Sequence, residues 1–187
     1  MDLSTTPIEG LLELTTTPHR DERGFFCRTS DAEVLRAAGV DPADFVQDSL
    51  SRSRHGVIRG MHVRTGAGEA KLVRCSYGRI FDVVVDLRPE SRSHLTRLTF
   101  ILDGDQQNSI YVPPGCAHGF QVLTEVADTS YRIDRPHDPS ESLTIAHDDP
   151  DLAIPWPLAP SVMSAADRAA RPMSELGPQL ARIGTAA

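Results

Sequence analysis

Ile80-Phe81-Asp82-Val83-Val84-Val85 is a run of β-branched and aromatic residues broken by one acid, the composition of a largely buried strand. It sits inside Arg79 to Leu87, and similar short runs flank it at Lys71 to Cys75, Leu95 to Leu102 and Ser109 to Val112. Gly, Pro, Asp and Asn separate them. Strands spaced by turns in this way, from about Phe45 to Ile145, point to an all-β barrel or double-sheet jelly roll. No helical stretch of about 10–15 residues alternates with them, which weighs against a doubly wound fold.

Short helices are expected outside that core. Thr29 to Val40 reads as one, with Ser30 as N-cap, Glu33 completing a capping box and Gly39 at the exit. Val34, Leu35 and Ala38 give it an apolar face. After Asp148 the segment DDPDLAIPWPLAP carries four prolines and must run largely extended. Ser164 to Arg171 and Met173 to Leu180 are further helical candidates. Residues 1–187 thus read as one domain, with a barrel core at about 45–145 and helices at about 29–40 and 164–180.

The composition, 40% apolar and 24% charged, is that of an ordinary globular chain. A net charge of −7 opposes non-specific nucleic-acid binding, although a few local arginines can still hold a diphosphate. Cys27, Cys75 and Cys116 are odd in number and lack metal-ligand spacing. No apolar run approaches the roughly 18 residues of a membrane span. The amino terminus, with Asp2 and Glu9, does not read as a signal peptide, so a cytoplasmic location away from membranes is expected.

Two clusters could carry chemistry. One is Arg59-Gly60-Met61-His62 with Lys71 beyond it; the other runs from Pro113 to Phe120 and contains Pro-x-Gly-x-x-His, ending on His118. Together they resemble the two signature regions of cupin barrels. Metal-binding cupins place His-x-His and a following Glu in the first region. Here the sequence is His62-Val63-Arg64, and Glu69 is out of position. A guanidinium cannot ligate and repels a cation, so no metal is expected. A free imidazole suits proton abstraction near neutral pH. The carbon acid needs a neighbouring carbonyl and a cation to stabilise its enolate, for which Lys71 is a candidate. Tyr131 is a candidate acid, and Asp167 a candidate partner for His62. Each also has a structural reading: His62 a strand histidine, Lys71 a strand-edge lysine, Tyr131 a β former. Arg23 and Arg59 could be turn arginines, and Asp167 could complete a capping box with Ser164.

Taken in order, DERGFF (Asp21 to Phe26), FVQDSLSRS (Phe45 to Ser53), GVIRGMH (Gly56 to His62), AKLVRCSYGRIFDVVVDLRPES (Ala70 to Ser91), PPGCAHGFQVL (Pro113 to Leu123), DPDLAIPWP (Asp149 to Pro157) and SAAD (Ser164 to Asp167) resemble the dTDP-4-dehydrorhamnose 3,5-epimerase family. The resemblance implies a cupin-type jelly-roll barrel that binds a dTDP-linked 4-keto-6-deoxy sugar and uses no cofactor. It implies His62 as base, Asp167 as its partner, Tyr131 as the opposing acid and Lys71 facing the C4 oxygen. Arg23, Gln47 and Arg59 would hold the diphosphate, Phe26 would pack near the base, and His118 would bind or orient. It also implies a homodimer with exchanged amino-terminal strands. The chain departs from the family pattern at Arg28, where an acid is usual near the nucleotide base, and at Ser49, where Asn is common. Val63-Arg64 replaces Tyr-Gln, and His137 replaces an aromatic of the sugar-pocket wall. Epimerisation at C3 and C5, epimerisation at C3 alone, a 3,4-ketoisomerase and a non-catalytic sugar-nucleotide-binding cupin all remain open on the sequence.

Overall fold

Both faces of the Ile80–Val85 run are covered in the computed structural model, which describes residues 1–185. The strands are β1 Asp2–Thr5, β2 Leu12–Thr15, β3 His19–Asp21, β4 Gly24–Phe26, β5 Gln47–Arg54, β6 Ile58–Arg64 and β7 Lys71–Tyr77. They continue with β8 Arg79–Asp86, β9 Arg97–Asp103, β10 Ser109–Val112, β11 Cys116–Val122, β12 Val126–Ile133 and β13 Ser142–Thr144. One sheet has six strands in the order β1-β2-β10-β7-β12-β5, and the facing sheet has five in the order β13-β6-β11-β8-β9. All the pairings between these strands are antiparallel. The result is the all-β double-sheet jelly roll expected from the strand spacing, of the cupin type that the resemblance implies.

Side chains alternate across a strand, so β8 feeds two different cores. Ile80 and Val84 join Val73, Cys75, Phe120 and Leu102 between the sheets. Phe81, Val83 and Val85 pack outward against Ile145, Leu152, Trp156 and Leu176 of the carboxy-terminal segment. A strand buried on both faces has no polar side to show, hence its near-continuous apolar sequence. The outer face of the larger sheet is covered instead by α1 (Ala32–Ala37), whose Leu35 packs with Leu12, Leu14 and Leu72. Burial pushes the thiols of Cys75 and Cys116 up to about 12, so both stay protonated packing groups.

Several local expectations are corrected. The N-cap of α1 is Asp31, not Ser30: its Oδ1 accepts from the backbone N–H of Glu33 and Val34 at 3.0 and 3.4 Å. Asp31 wins because a short carboxylate accepts these bonds better and complements the helix dipole. At the exit Gly39 takes φ +83°, with the N–H of Val40 returning to Leu35 and that of Gly39 to Arg36. That is the left-handed termination its residue type favours. The carboxy-terminal helices are shorter than their windows, with α2 at Ala165–Arg168 and α3 at Gly177–Leu180. Four strands precede residue 45, two of which extend the larger sheet. Among the described residues no helix is long and apolar enough to cross a membrane.

Candidate active site

Arg59 and His62 are three residues apart on β6, a spacing that puts side chains on opposite faces of a regular strand. The pairing with β11 slips between them: Phe120 faces Arg59 while His118 faces His62. Phe120 and His118 lie two apart and share the inner face, so both partners turn inward as well. Gly60 makes this possible, with φ +130° and no room for a side chain; a Cβ there would sit 2.5 Å from the Cα of Gly119. Arg59 and His62 therefore enter one interior from one strand.

His62 Nε2 lies 2.6 Å from Asp167 Oδ1, and its side chain is 45% exposed whereas that of Asp167 is 4% exposed. Ser164 caps α2 by accepting from the Asp167 N–H at 3.0 Å and donates its hydroxyl to Asp167 Oδ2 at 2.9 Å. Only half of a capping box forms, since the Asp167 carboxylate takes the Ser164 hydroxyl and not its backbone N–H, and the same carboxylate meets the histidine. Burial pushes the Asp167 carboxyl up, but His62, Ser164 and the Arg59 guanidinium outweigh it and hold the group below the usual carboxylate range. A carboxylate accepting from Nε2–H leaves Nδ1 with the ring's free lone pair.

On the facing sheet, Tyr131 pairs in register with Ser49 and Val73, and packs in the inter-sheet core. Its hydroxyl is 3.4 Å from Ser51 Oγ, and burial pushes the phenol up. The His118 ring meets it edge-on at 6.5 Å. His118 Nε2 also lies 2.8 Å from Asp82 Oδ2 in a wholly buried pair. Burial pushes Asp82 up against the pull of His118 and Lys71, and its Oδ1 has no hydrogen-bond partner. Lys71 Nζ sits 2.8 Å from Glu69 Oε1. It is the only lysine among the nineteen Lys and Arg residues of the chain, a signal that sequence reasoning missed.

Arg64 is not a vacant stand-in for a metal ligand. Its guanidinium donates to Glu141 Oε2 at 2.6 Å, to Glu69 Oε2 at 3.3 Å and to the Pro136 carbonyl at 2.7 Å. Among the described residues no group of three or more His, Cys, Asp or Glu is arranged to hold a metal ion.

Gln47 and Ser49 follow the inward alternation of β5 and are joined at 3.2 Å, and Arg59 Nε donates to Ser53 Oγ at 2.9 Å. A groove of about 560 Å³ opens beside the dyad, lined by Arg52, Arg54, Arg59, Ser164 and Asp167. Arg52 and Arg54 were not anticipated there; alternation along Gln47–Arg54 would have placed them on the outer face, and the groove lies at the strand's end. Four expected residues are not brought to this interior. Arg23 and Phe26 lie on the two-stranded β3–β4 hairpin, which pairs with neither large sheet. Phe26 is 73% exposed, Arg23 is paired with Asp21, and Arg28 just beyond is paired with Asp31. His137 lies exposed in the turn between β12 and β13.

The chain's similarities agree with this geometry. The family model for dTDP-4-dehydrorhamnose 3,5-epimerase matches residues 5–175. The dTDP-4-dehydrorhamnose 3,5-epimerase of Escherichia coli is 37% identical over 158 residues, 84% of this chain and 85% of that protein. The dTDP-4-dehydrorhamnose 3-epimerase of Streptomyces niveus is 34% identical over 176 residues, 94% of this chain and 85% of that one. A crystal structure of a Legionella pneumophila dTDP-6-deoxy-D-glucose-3,5-epimerase in complex with dTDP-4-keto-L-rhamnose superposes with a TM-score of 0.90 at 34% identity, covering 100% of this chain and 98% of that one. A match running through both sheets and the dyad means that this chain belongs to the dTDP-4-dehydrorhamnose 3,5-epimerase family.

Proposed function

We propose that this chain, as a single cupin domain, epimerises a dTDP-linked 4-dehydro-6-deoxyhexose at C3 and C5 by moving protons beside the C4 ketone. The observation that carries the reading is the 2.6 Å contact of His62 with a carboxylate that is itself capped and buried. His62 Nδ1 removes the proton on carbon, and Asp167 stabilises the imidazolium that forms. The electrons move into the C4 carbonyl, where the Lys71 cation stabilises the enolate oxygen. Tyr131, kept protonated by burial, returns a proton from the other face. No cofactor enters this scheme: the carbon–hydrogen bond is broken and remade without net redox change.

The basic groove beside the dyad supports a diphosphate held by Arg59, with Gln47 and Ser49 towards the same interior. The hairpin bearing Arg23 and Phe26 pairs with neither large sheet, and Arg28 lies just beyond it, which supports a homodimer whose exchanged amino-terminal strands bring these residues to the partner's site. Epimerisation at C3 alone is the second reading, favoured by the similarity to the Streptomyces niveus 3-epimerase.

Incubation with dTDP-4-dehydro-6-deoxyglucose in heavy water separates the readings. Deuterium at C3 and C5 is expected; label at C3 only would select the second reading, and none from folded protein would sink both.

A further inference from the structure

Lys71 does not face the interior unaccompanied. Glu69 sits at 2.8 Å from its ammonium, Arg64 reaches the other oxygen of Glu69 at 3.3 Å, and the same guanidinium is held by Glu141 at 2.6 Å. All four side chains are largely buried, between 7% and 19% exposed. Two cations and two anions balance within the cluster. Burial pushes Glu69 up, but Lys71 and Arg64 outweigh it and hold the carboxyl below its usual range, so it is ionised at neutral pH. Arg64 and Glu69 do not fit the ligand positions of a metal-binding cupin, and neither takes part in the proposed proton transfer.

We propose that Glu69 and Arg64 are positioning residues: Glu69 fixes the Lys71 ammonium at the sugar pocket, and Arg64 ties Glu69 to the β12–β13 turn. The inference rests on the reading of Lys71 as the cation that meets the developing C4 oxygen. Two facts argue for an electrostatic role over simple glue. Lysine stands here alone in a chain that otherwise uses arginine, and lysine is the compact cation that can lose its proton when its surroundings change. Arg64 meets both carboxylates, so it competes with Lys71 for Glu69. The charges facing Lys71 are Glu69 from the loop before β7, Arg64 from β6 and Asp82 from β8, whose carboxyl feels the lysine; Asp134 at the end of β12 lies close to Glu69.

The single lysine makes the test direct. Protein labelled with ¹³C-lysine gives one side-chain signal, whose titration midpoint reports Lys71 alone. Glu69→Gln should lower that midpoint by about one pH unit or more, the effect of losing an opposite charge at contact distance. Arg64→Gln should raise it, because a competing cation is gone. In the heavy-water assay Glu69→Gln should draw the alkaline limb of kcat downward by the same amount with KM little changed, and Glu69→Asp should restore part of both. Midpoints that stay put, or that move in the same direction in both variants, would overturn the proposal; so would an alkaline limb that ignores the shift. If Arg64→Gln fails to fold, the Gln and Asp variants at position 69 decide alone. Wild-type protein that never exchanges deuterium removes the proposed function yet leaves the midpoints readable. Unmoved midpoints in an exchanging enzyme remove only this inference.

Discussion

The interior holds two histidine–aspartate pairs, side by side in register on β6 and β11, and they are built to opposite ends. His62 meets Asp167 at 2.6 Å with its ring nearly half exposed and the carboxylate satisfied by Ser164. His118 meets Asp82 at 2.8 Å with both groups sealed and one carboxylate oxygen unpartnered. Asp167 is held below the usual carboxylate range and Asp82 is pushed above it. The same two residue types therefore give one pair open to a ligand and one pair closed off from it. Solvent access and the second acceptor site decide which, not the histidine–aspartate contact.

The sharpest way to break this comparison is to remove one member of each pair. His62→Ala should lower deuterium exchange by about three orders of magnitude or more, the scale of a lost general base, while circular dichroism and unfolding stay close to wild type. Retained exchange would strip His62 of the role and leave the two pairs indistinguishable. The reverse pattern is expected at the other pair. Asp82→Ala leaves His118 buried without its acceptor and should cost about 1–3 kcal/mol in denaturant unfolding, the scale for leaving a buried hydrogen-bonding group unsatisfied. A loss under about 1 kcal/mol would mean that Asp82 does not brace the barrel.

Only one side of this contrast was legible in the sequence, and the illegible part has physical reasons. Ser109 to Val112 was bounded to the residue, because β-branched runs between turn residues carry their own limits. β1 and β2 were not read, since four-residue strands such as Asp2–Thr5 are too short to show a period and owe their state to pairing with β10. His62 and Asp167 lie 105 residues apart, so their meeting depends on how the extended segment after Asp148 crosses the smaller sheet. The ordered family motifs supplied that pairing; local pattern could not. The partner of Arg64, Glu141, was invisible because the two lie 77 residues apart in the chain. Asp82 was seen only as the one charge in an apolar run.

The pH dependence of folding sharpens the comparison further, because the two aspartates push it in opposite directions. Asp167 is depressed in the folded state, so its stabilising contribution is present above the ordinary carboxylate value near 3.9 and is lost as pH falls through the lower folded value. Asp82 is raised, so the folded state binds its proton more tightly and stability contributed by that proton falls as pH rises from about 3.9 through the raised value. Asp167→Asn should flatten the acid-side loss measured by denaturant unfolding. Asp82→Asn should flatten the decline above it. Matching profiles for the two variants would erase the distinction between the pairs.

The smallest expected effect falls on Ser164, the residue that only the open pair possesses. Its hydroxyl accepts from the Asp167 N–H and donates to Asp167 Oδ2, so Ser164→Ala removes a helix cap and a carboxylate donor together. The cap alone is worth about 1 kcal/mol, and less is expected here because α2 spans only Ala165–Arg168. Asp167 keeps its contact with His62 but gains freedom to rotate, so kcat should fall several-fold with KM unchanged, and Ser164→Thr should restore most of it. Loss as deep as that of His62→Ala would show the hydroxyl to be part of the proton path. An unchanged kcat would show that His62 alone fixes the carboxylate, and Ser164 would then be a cap and nothing more.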